Sequence, residues 1–235
     1  MQIIAHRGFS AIAPENTLAA FSAAIQHQAD AVEFDVQLSA DRVPIIIHDS
    51  TLERTTNGSG NVRDKTLEQL KALDAGSWFN TQFAGEKIPT FAEALKILEP
   101  MSCIYAEVKQ SEDWSFEDIT NFIQILMRAG WEQRCVVACF NENFLEQVRN
   151  QFENITLGYL VKSPETYIQR LAKAVIDGNA VMLSEYHVLL EHPELIKETK
   201  NQNVEMGVWT VDSPEDLQRL KANGVLRIVT NSLIG

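Results

Sequence analysis

Three acidic residues lie where their side chains could bind a metal ion. Glu33 and Asp35 alternate within the apolar stretch "VEFDV", and Glu107 lies in a second apolar stretch, "IYAEVK". Side chains two positions apart on a strand point to the same face, so Glu33 and Asp35 would lie about 7 Å apart along the chain. A buried carboxylate without a partner is costly, and a divalent cation would satisfy several of them at once. The three acids therefore predict a metal site.

The type of ligand narrows the choice of metal. Carboxylates without neighbouring cysteines or paired histidines favour a hard cation, so we expect one divalent ion, Mg²⁺ or Ca²⁺, with Mn²⁺ also compatible. A structural interpretation stays open beside this one. In that interpretation Glu33 or Glu107 forms a salt bridge with Lys109 or Arg7, and no metal is needed.

Two histidines and two basic residues end or follow apolar stretches of the same kind. His6 and Arg7 close "IIAHRG", His48 closes "PIIIH", and Lys109 follows Glu107 by two positions. Two histidines beside a metal can act as general base and general acid. Arg7 and Lys109 could neutralise an anion that bridges to the metal. The combination is typical of phosphoryl transfer at a phosphodiester, although His6 and Arg7 could also be a solvated polar pair at a strand end.

Apolar runs typical of buried strands recur along the chain, and helical patterns fall between most of them. The runs are "QIIAHRG", "AVEFDVQLS", "VPIIIHD", "CIYAEVK", "RCVVACF", "ITLGYLV", "AVMLSE", "EMGVWTV" and "VLRIVTN". Helix N-caps are predicted at Asn16 or Thr17, at Ser115 and at Ser213. Alternation of strand and helix indicates a parallel sheet, and about eight such units predict a TIM (β/α)8 barrel.

The barrel would place the unusual residues together. In a TIM barrel the chemistry lies at the C-terminal ends of the strands, which is where the histidines, acids and cations named above fall. Trp209 also lies near a strand end, where it could line the pocket or belong to the core. A doubly wound sheet is the structural alternative, but no glycine-rich dinucleotide turn follows the first strand.

Length and composition fit one domain. The 235 residues are enough to bury a substantial core, and we expect a single domain over residues 1–235. The alternation of strands and helices is interrupted from about residue 50 to 89 by a polar, turn-rich segment that includes "RTTNGSGN". We interpret this segment as an insertion into the barrel and not as a second domain.

Charge and hydropathy exclude several classes of partner. A net charge of −12 argues against a general nucleic-acid or acidic-membrane surface. The sequence shows no apolar run that would span a bilayer and no cationic leader, so we expect no stable membrane association and a cytoplasmic location. Cys135 and Cys139 would lie roughly 13 Å apart on one strand, which is too far for a disulfide. Together with Cys103 they predict reduced thiols.

At these residues the sequence resembles the glycerophosphodiester phosphodiesterase family. The matching stretches follow one another over nearly the whole chain: "AHRGFSAIAPENT", "VEFDVQLSADRVPIIIHDSTLERTTNGSG", "LDAGSW", "IPTFAEAL", "AEVK" and "VWTVD". The resemblance implies a TIM barrel with a small insertion after the second strand region. It also implies an enzyme that uses a divalent cation to hydrolyse small glycerophosphodiesters to glycerol 3-phosphate and an alcohol.

The resemblance also implies roles for individual positions. His6 and His48 match the catalytic histidines of the family, and Arg7 and Lys109 match its phosphate-contacting cations. Glu33, Asp35 and Glu107 match its metal ligands, and Trp209 matches a pocket residue. Glu15 would orient a neighbour such as Arg7 or stabilise a helix start. The end of the chain departs from the pattern, with Thr230-Asn231 where the family commonly has Thr-Asp.

Three other functions compete with this prediction. A related barrel phospholipase would act on intact lipids, but the sequence shows no amphipathic or basic membrane-binding stretch. A catalytically silent phosphodiester-binding protein would not need both His6 and His48. A metal-assisted lyase or aldolase would not explain the pair of histidines either. The sequence does not indicate an oligomeric state.

Overall fold

A closed barrel of parallel strands forms the centre of the molecule. The computed structural model describes residues 1–233. Its strands are β1 (Gln2–His6), β2 (Ala31–Leu38), β3 (Pro44–Ile46), β4 (Ile104–Val108), β5 (Cys135–Cys139), β6 (Thr156–Val161), β7 (Ala180–Glu185), β8 (Glu205–Trp209) and β9 (Arg227–Thr230). Eight of them pair in parallel around a ring, and β1 closes the ring by pairing with both β2 and β9. The predicted TIM barrel is confirmed.

The strands have continuous apolar sequences because they are buried on both faces. All eight residues of β2 are buried, as expected for a parallel strand between a packed interior and an outer layer of helices. The barrel interior is filled by side chains that include Ile4, Tyr105, Leu183 and Val229. A larger core between sheet and helices includes aromatic residues packed with tilted rings, such as Phe34, Phe91 and Phe122.

Helices cover the outside of the barrel. Their bounds are α1 (Leu18–Gln26), α2 (Leu67–Ala72), α3 (Phe91–Ile97), α4 (Phe116–Arg128), α5 (Glu142–Gln151), α6 (Pro164–Asp177), α7 (Tyr186–Glu191), α8 (Pro193–Asn201) and α9 (Pro214–Ala222). The sequence-based starts are correct for three of them. Thr17 caps α1, Ser115 forms a capping box with Asp118 on α4, and Ser213 caps α9.

Strand β3 differs from the prediction in direction. From the sequence we expect the apolar stretches that end at His6 and His48 to be neighbouring parallel strands of the barrel, and this prediction is wrong. β3 pairs antiparallel with β2, with Leu38 opposite Pro44 and Val36 opposite Ile46, whereas β1 pairs with β2 and β9. Because β3 runs backwards along β2, the chain after it returns toward the middle of β2. This reversal brings His48 beside Asp35. His48 therefore still lies next to the acidic cluster, although it does not end a neighbouring parallel strand.

Residues 47 to 90 form a compact segment between β3 and α3. It contains α2 and two short 3-10 turns, Val62–Asp64 and Thr81–Phe83. Its apolar side chains form a small core of their own with β3: Ile45, Ile47, Leu52, Val62, Leu70, Ala75 and Ile88. The segment ends where it began, because the amide of Ile46 donates to the carbonyl of Pro89. It covers the stretch from about 50 to 89 that we interpret from the sequence as an insertion.

Two expectations from the sequence concern membrane-spanning helices and the cysteines. Within residues 1–233 no helix has both the length and the apolar character to cross a bilayer. Cys103, Cys135 and Cys139 are free thiols, and the last two are buried.

Candidate active site

The C-terminal ends of the barrel strands surround a pocket of about 140 Å³. One half is polar and the other apolar. Seven of the eight residues predicted for the site line this pocket: His6, Arg7, Glu33, His48, Glu107, Lys109 and Trp209. The eighth, Asp35, is buried directly beneath Arg7 and Lys109 and contacts both. The structure therefore brings all eight together.

The three acids form one cluster. Parallel pairing places Asp35 opposite Glu107 and Glu33 opposite His6. Ligand oxygens of Glu33, Asp35 and Glu107 all lie within 4.8 Å of one another. Among the described residues, Oε1 of Glu33 is buried without a hydrogen-bond partner. A buried carboxylate oxygen without a donor lacks a positive ligand, so the cluster fits a hard divalent cation.

Arg7 and Lys109 satisfy part of this negative charge. Nε of Arg7 lies 3.2 Å from Asp35, and Nζ of Lys109 lies 3.4 Å from Asp35 and 2.6 Å from Glu107. The salt bridge between Glu107 and Lys109 that the structural interpretation expected is therefore present. Within residues 1–233, Glu33 has no such partner beyond the amide of Arg7 at 3.0 Å and the neutral ring of His6. A salt-bridge network alone does not account for the cluster.

The acidic side chains around the pocket outnumber the basic ones. Arg54 extends the network outward and joins Glu15 and Asp49 at 2.7 and 2.6 Å. Together with Glu33, Asp35, Glu107, Arg7 and Lys109, this makes five carboxyl groups and three cations, a surplus of two negative charges when all five acids are ionised. One divalent cation would balance this surplus.

The pKa directions separate the three acids. Burial, followed by repulsion from Asp35, raises the pKa of Glu33 well above its ordinary value. Burial and Asp35 also raise the pKa of Glu107. Burial alone would raise the pKa of Asp35 as well, but Arg7 and Lys109 outweigh it and lower that pKa. Asp35 is thus the anion that the protein itself stabilises, while Glu33 and Glu107 carry charge that an external cation would stabilise.

A left-handed turn after β1 sets the position of Arg7. Arg7 has φ +57°, and Gly8 follows with φ +79°. A Cβ on Gly8 would lie 2.7 Å from Ala20, so the close approach of α1 requires glycine here. The turn points the amide of Arg7 at Glu33 and its guanidinium at Asp35 and Glu15. This explains why "HRG" ends the first strand.

His6 is held by a neutral partner. Its Nδ1 lies 2.7 Å from Oδ1 of Asn231, whose Nδ2 donates to Asp212 at 2.6 Å. Because the Asn231 amide group must direct its NH₂ to the Asp212 carboxylate, its oxygen faces His6 and Nδ1 of His6 carries the hydrogen. Burial, followed by repulsion from Arg7, lowers the pKa of His6 to about 4. The ring is therefore neutral at pH 7, with Nε2 free to accept a proton.

His48 is held by a charged partner instead. Its Nδ1 lies 2.7 Å from Oδ1 of Asp49. Hydrogen bonds from Arg54 lower the pKa of Asp49, so that acid is a carboxylate and accepts a hydrogen from His48. Burial lowers the pKa of His48, while Asp35 and Asp49 act in the opposite direction. The two histidines therefore expose the same nitrogen but differ in how well their surroundings tolerate a proton.

Sequence reasoning missed several residues that hold this site. Asn16 donates to Asp35 at 2.8 Å, and Nδ1 of His6 depends on Asn231. The side-chain amide of Gln37 lies 2.8 to 3.0 Å from the carbonyl oxygens of residues 47, 48 and 49 and so fixes the loop that carries His48. Gln37 could have been found, because it continues the alternation of Glu33 and Asp35 on the same face of β2.

Aromatic and aliphatic side chains form the apolar half of the pocket. Phe140, Leu160, Leu183, Trp209 and Val229 line it. Trp209 is only partly buried, and its Nε1 donates to the carbonyl of Leu183 at 3.1 Å. The sequence left open whether Trp209 lines the pocket or belongs to the core. In the structure it lines the pocket.

A larger groove of about 620 Å³ lies beside the insertion. Its two arginines are already paired within the protein, Arg42 with Asp118 and Arg63 with Asp113. It contains none of the predicted acids or histidines. We therefore assign the chemistry to the smaller pocket at the barrel mouth.

Known proteins are similar to this chain in sequence. A sequence model of the glycerophosphoryl diester phosphodiesterase family matches residues 6–234. A glycerophosphodiester phosphodiesterase of Caldanaerobacter subterraneus is 35% identical over 97% of this chain and 93% of its own. A Bacillus subtilis glycerophosphodiester phosphodiesterase is 29% identical over 97% of this chain and 82% of its own.

Solved structures give the same result. An Oleispira antarctica phosphodiesterase in complex with the product sn-glycerol-3-phosphate superposes with a TM-score of 0.90 at 30% identity, covering 99% of this chain and 93% of that one. A glycerophosphodiester phosphodiesterase of Agrobacterium tumefaciens superposes with a TM-score of 0.83 at 26% identity, covering 99% and 98%. The match runs through the barrel and the segment after β3 alike, and the chain therefore belongs to the glycerophosphoryl diester phosphodiesterase family and is an enzyme of that family.

Proposed function

We propose that the protein hydrolyses glycerophosphodiesters to sn-glycerol 3-phosphate and an alcohol, with a divalent cation and with His6 and His48 as the proton-transfer groups. The observation that carries the proposal is the placement of both histidines beside the Glu33, Asp35 and Glu107 cluster in one pocket. The product named for the Oleispira antarctica structure supports the choice of substrate.

Arg7 and Lys109 bind the phosphate in this proposal. Both line the pocket. Burial would lower the pKa of each, but Asp35 and the other nearby carboxylates together outweigh this effect and raise it. They are therefore charged at pH 7. Two fixed cations stabilise the negative charge that builds on the phosphoryl oxygens in the transition state. Their carboxylate partners hold them in place before the substrate arrives.

Glu33, Asp35 and Glu107 would hold the cation. When bound, a hard divalent cation supplies Lewis-acid stabilisation of a phosphoryl oxygen. Mg²⁺ or Ca²⁺ is the preferred ion and Mn²⁺ is compatible, because all three ligands are carboxylates. The unpartnered oxygen of Glu33 supports this assignment.

The histidines move one proton each. A bond forms between the attacking oxygen and phosphorus, and the bond from phosphorus to the alcohol oxygen breaks. His6 takes the proton of the attacking hydroxyl on Nε2, since its hydrogen bond to Asn231 keeps the ring hydrogen on Nδ1 and leaves Nε2 unprotonated. His48 gives a proton to the departing alcohol, since the Asp49 carboxylate stabilises its protonated form.

The size of the pocket argues against intact phospholipids as substrates. Its volume of about 140 Å³ matches a small head group and not two acyl chains. A catalytically silent binding protein is disfavoured because each histidine has its own polar partner that fixes its tautomer. A proton-transfer role explains this arrangement, and binding alone does not.

The proposal is tested by direct assay. Purified protein is incubated with several glycerophosphodiesters and with Mg²⁺, Ca²⁺ or Mn²⁺, and released glycerol 3-phosphate is measured. The double variant His6→Ala/His48→Ala, prepared in parallel, controls for contaminating hydrolases. Release by the wild type that the double variant lacks supports the proposal, whereas no release with any of the three ions contradicts it.

A further inference from the structure

A lysine lies over two aromatic rings in the apolar half of the pocket. Phe140 follows β5, Lys162 follows β6 and Trp209 ends β8, so all three lie at the mouth of the barrel. The ring centroids of Phe140 and Trp209 are 5.8 Å apart, with the ring planes at 88°. Nζ of Lys162 lies 4.5 Å from the Phe140 centroid and 5.8 Å from that of Trp209. The ammonium group thus occupies the electron-rich surface of the aromatic pair.

The charge of Lys162 is not neutralised by a neighbour. Within residues 1–233, no carboxylate oxygen lies within 4.0 Å of its Nζ. Glu185 ends the adjacent strand β7, but its Oε1 lies 2.7 Å from Nδ1 of His187. The acids that line the pocket, Glu33 and Glu107, belong to the metal cluster in the polar half. The apolar half therefore carries one net positive charge.

This half of the pocket is where the alcohol of a substrate would lie. Arg7 and Lys109 place the phosphate in the polar half, and the two hydroxyls of a glycerol group need hydrogen-bond partners. Aliphatic side chains such as Leu160 and Leu183 offer none. The alcohol on the other side of phosphorus can be apolar, and so it fits against this wall.

We propose that Lys162 is a specificity-determining residue that disfavours substrates with a cationic alcohol and favours those whose alcohol is uncharged or anionic. The inference rests on the proposed function and names the substrate class of the same site. Faces of Phe140 and Trp209 would otherwise attract a quaternary ammonium group such as choline. Here the protein supplies the cation itself, so a second positive charge is repelled and a negative charge is attracted.

The test uses three diesters that differ in the charge of the alcohol. They are glycerophosphocholine, the uncharged isostere in which 3,3-dimethylbutanol replaces choline, and a diester of 3-hydroxypropionate. The kcat/KM ratio of the choline diester to its isostere is compared between wild type and variants, so that differences in leaving-group reactivity cancel. Lys162→Met should raise this ratio by about 3- to 10-fold, the effect of one unit charge about 6 Å away in a partly hydrated pocket.

Two further measurements separate charge from shape. Lys162→Glu should raise the choline ratio beyond that of Lys162→Met and should lower kcat/KM for the anionic diester relative to the isostere. The ratio of the wild type should also move toward that of Lys162→Met at about 0.5 M salt, because salt screens charges in a solvent-exposed pocket. Lys197→Met, on the outer surface of α8, is the matched control and should leave the ratio unchanged.

The outcomes distinguish the two proposals. If the enzyme cleaves all three diesters and Lys162→Met leaves the ratio within about 1.5-fold of wild type, well below the predicted charge effect, the inference about Lys162 is wrong and the proposed function stands. If no diester yields glycerol 3-phosphate with any divalent cation, the proposed function is wrong and the inference falls with it.

Discussion

Oδ1 of Asn231 lies 2.7 Å from Nδ1 of His6, although the two residues are 225 positions apart in the chain. The contact forms because β9 pairs with β1 and closes the barrel. Asp212 fixes the amide group by accepting from Nδ2 and from the backbone amide of Asn231 at 2.6 and 2.8 Å. Asn231 is therefore a positioning residue, and the chain Asp212–Asn231–His6 fixes the tautomer of the imidazole.

We expect Asp212→Asn to disturb His6 without touching it. The new amide would place an NH₂ group opposite Nδ2 of Asn231, so the Asn231 amide must turn and present its own NH₂ to His6. Loss of this hydrogen bond should lower kcat/KM by about 10- to 100-fold. Nitrogen NMR of the histidine rings should show His6 shifting away from the Nδ1–H tautomer.

A double exchange provides the control. In Asp212→Asn/Asn231→Asp the amide and the carboxylate trade places, so one hydrogen bond between them can form again and His6 again faces an acceptor oxygen. Activity should recover relative to Asp212→Asn. A single variant with wild-type activity and an unchanged ring tautomer would show that the relay is not needed.

Removing the charge of Glu33 should stabilise the metal-free protein. The raised pKa means that the folded state holds a proton on Glu33 more tightly than the unfolded chain does. The protein therefore gains stability as pH falls through this raised pKa and loses it as pH rises. At pH 7.5 Glu33→Gln should raise the unfolding free energy by about 1 kcal/mol, or Tm by about 2–4 °C. The gain should shrink at pH 5.

Asp35→Asn should have the opposite effect. The pKa of Asp35 is lowered, so its charge contributes stability above its ordinary pKa and loses it as pH falls through the lowered one. At pH 7.5 the variant leaves Arg7 and Lys109 without this buried partner, which should cost about 3 kcal/mol. Thermal unfolding in a chelator measures both variants. Equal signs for the two would contradict the charge assignment.

Binding of the cation should depend on the same acids. A chelator should abolish wild-type activity, and added Mg²⁺ or Ca²⁺ should restore it. Saturating cation should also raise the Tm of the wild type, but not that of Glu33→Gln or Asp35→Asn. Glu117→Gln, at an exposed acid of α4, is the matched control and should respond like the wild type. Full activity of Asp35→Asn without added cation would show that these acids are not metal ligands.

The sequence predicted the barrel and the inner cluster because both depend on short-range patterns. Glu33 and Asp35 share a face through the two-residue period of a strand, and helix starts such as Ser115 are local motifs. The direction of β3 was not predictable in this way, because "VPIIIHD" has the same apolar character in a parallel or an antiparallel strand. The direction of β3 is determined by its pairing with β2.

Contacts between strand ends that are far apart in the chain could not be predicted from the sequence either. Asn231 meets His6 only once the barrel is closed, and Lys162 meets Phe140 and Trp209 only through the register of three strands. Each of these residues is polar or aromatic at a strand end, which marks it as a candidate. Its partner depends on the three-dimensional arrangement.

The two histidines should differ in their response to the leaving group. His6→Ala and His48→Ala should each lower kcat on a glycerophosphodiester by at least about 10²-fold, the usual contribution of one general acid or base. Asp49 stabilises a proton on His48, whereas Asn231 offers His6 a neutral oxygen, so we assign the acid role to His48. A p-nitrophenol diester of glycerol 3-phosphate needs little protonation of its leaving group.

On the p-nitrophenol diester the deficit of His48→Ala should fall below about 10-fold, while that of His6→Ala should stay near 10² or above, because the attacking hydroxyl must still lose its proton. Single-turnover rates of both variants on both substrates test this difference, with His192→Ala, a half-buried histidine paired with Glu194, as the matched control. Rescue of His6→Ala instead would reverse the two roles. Near-normal turnover of both variants on the glycerophosphodiester would show that neither histidine transfers a proton and that their contacts with Asn231 and Asp49 are structural.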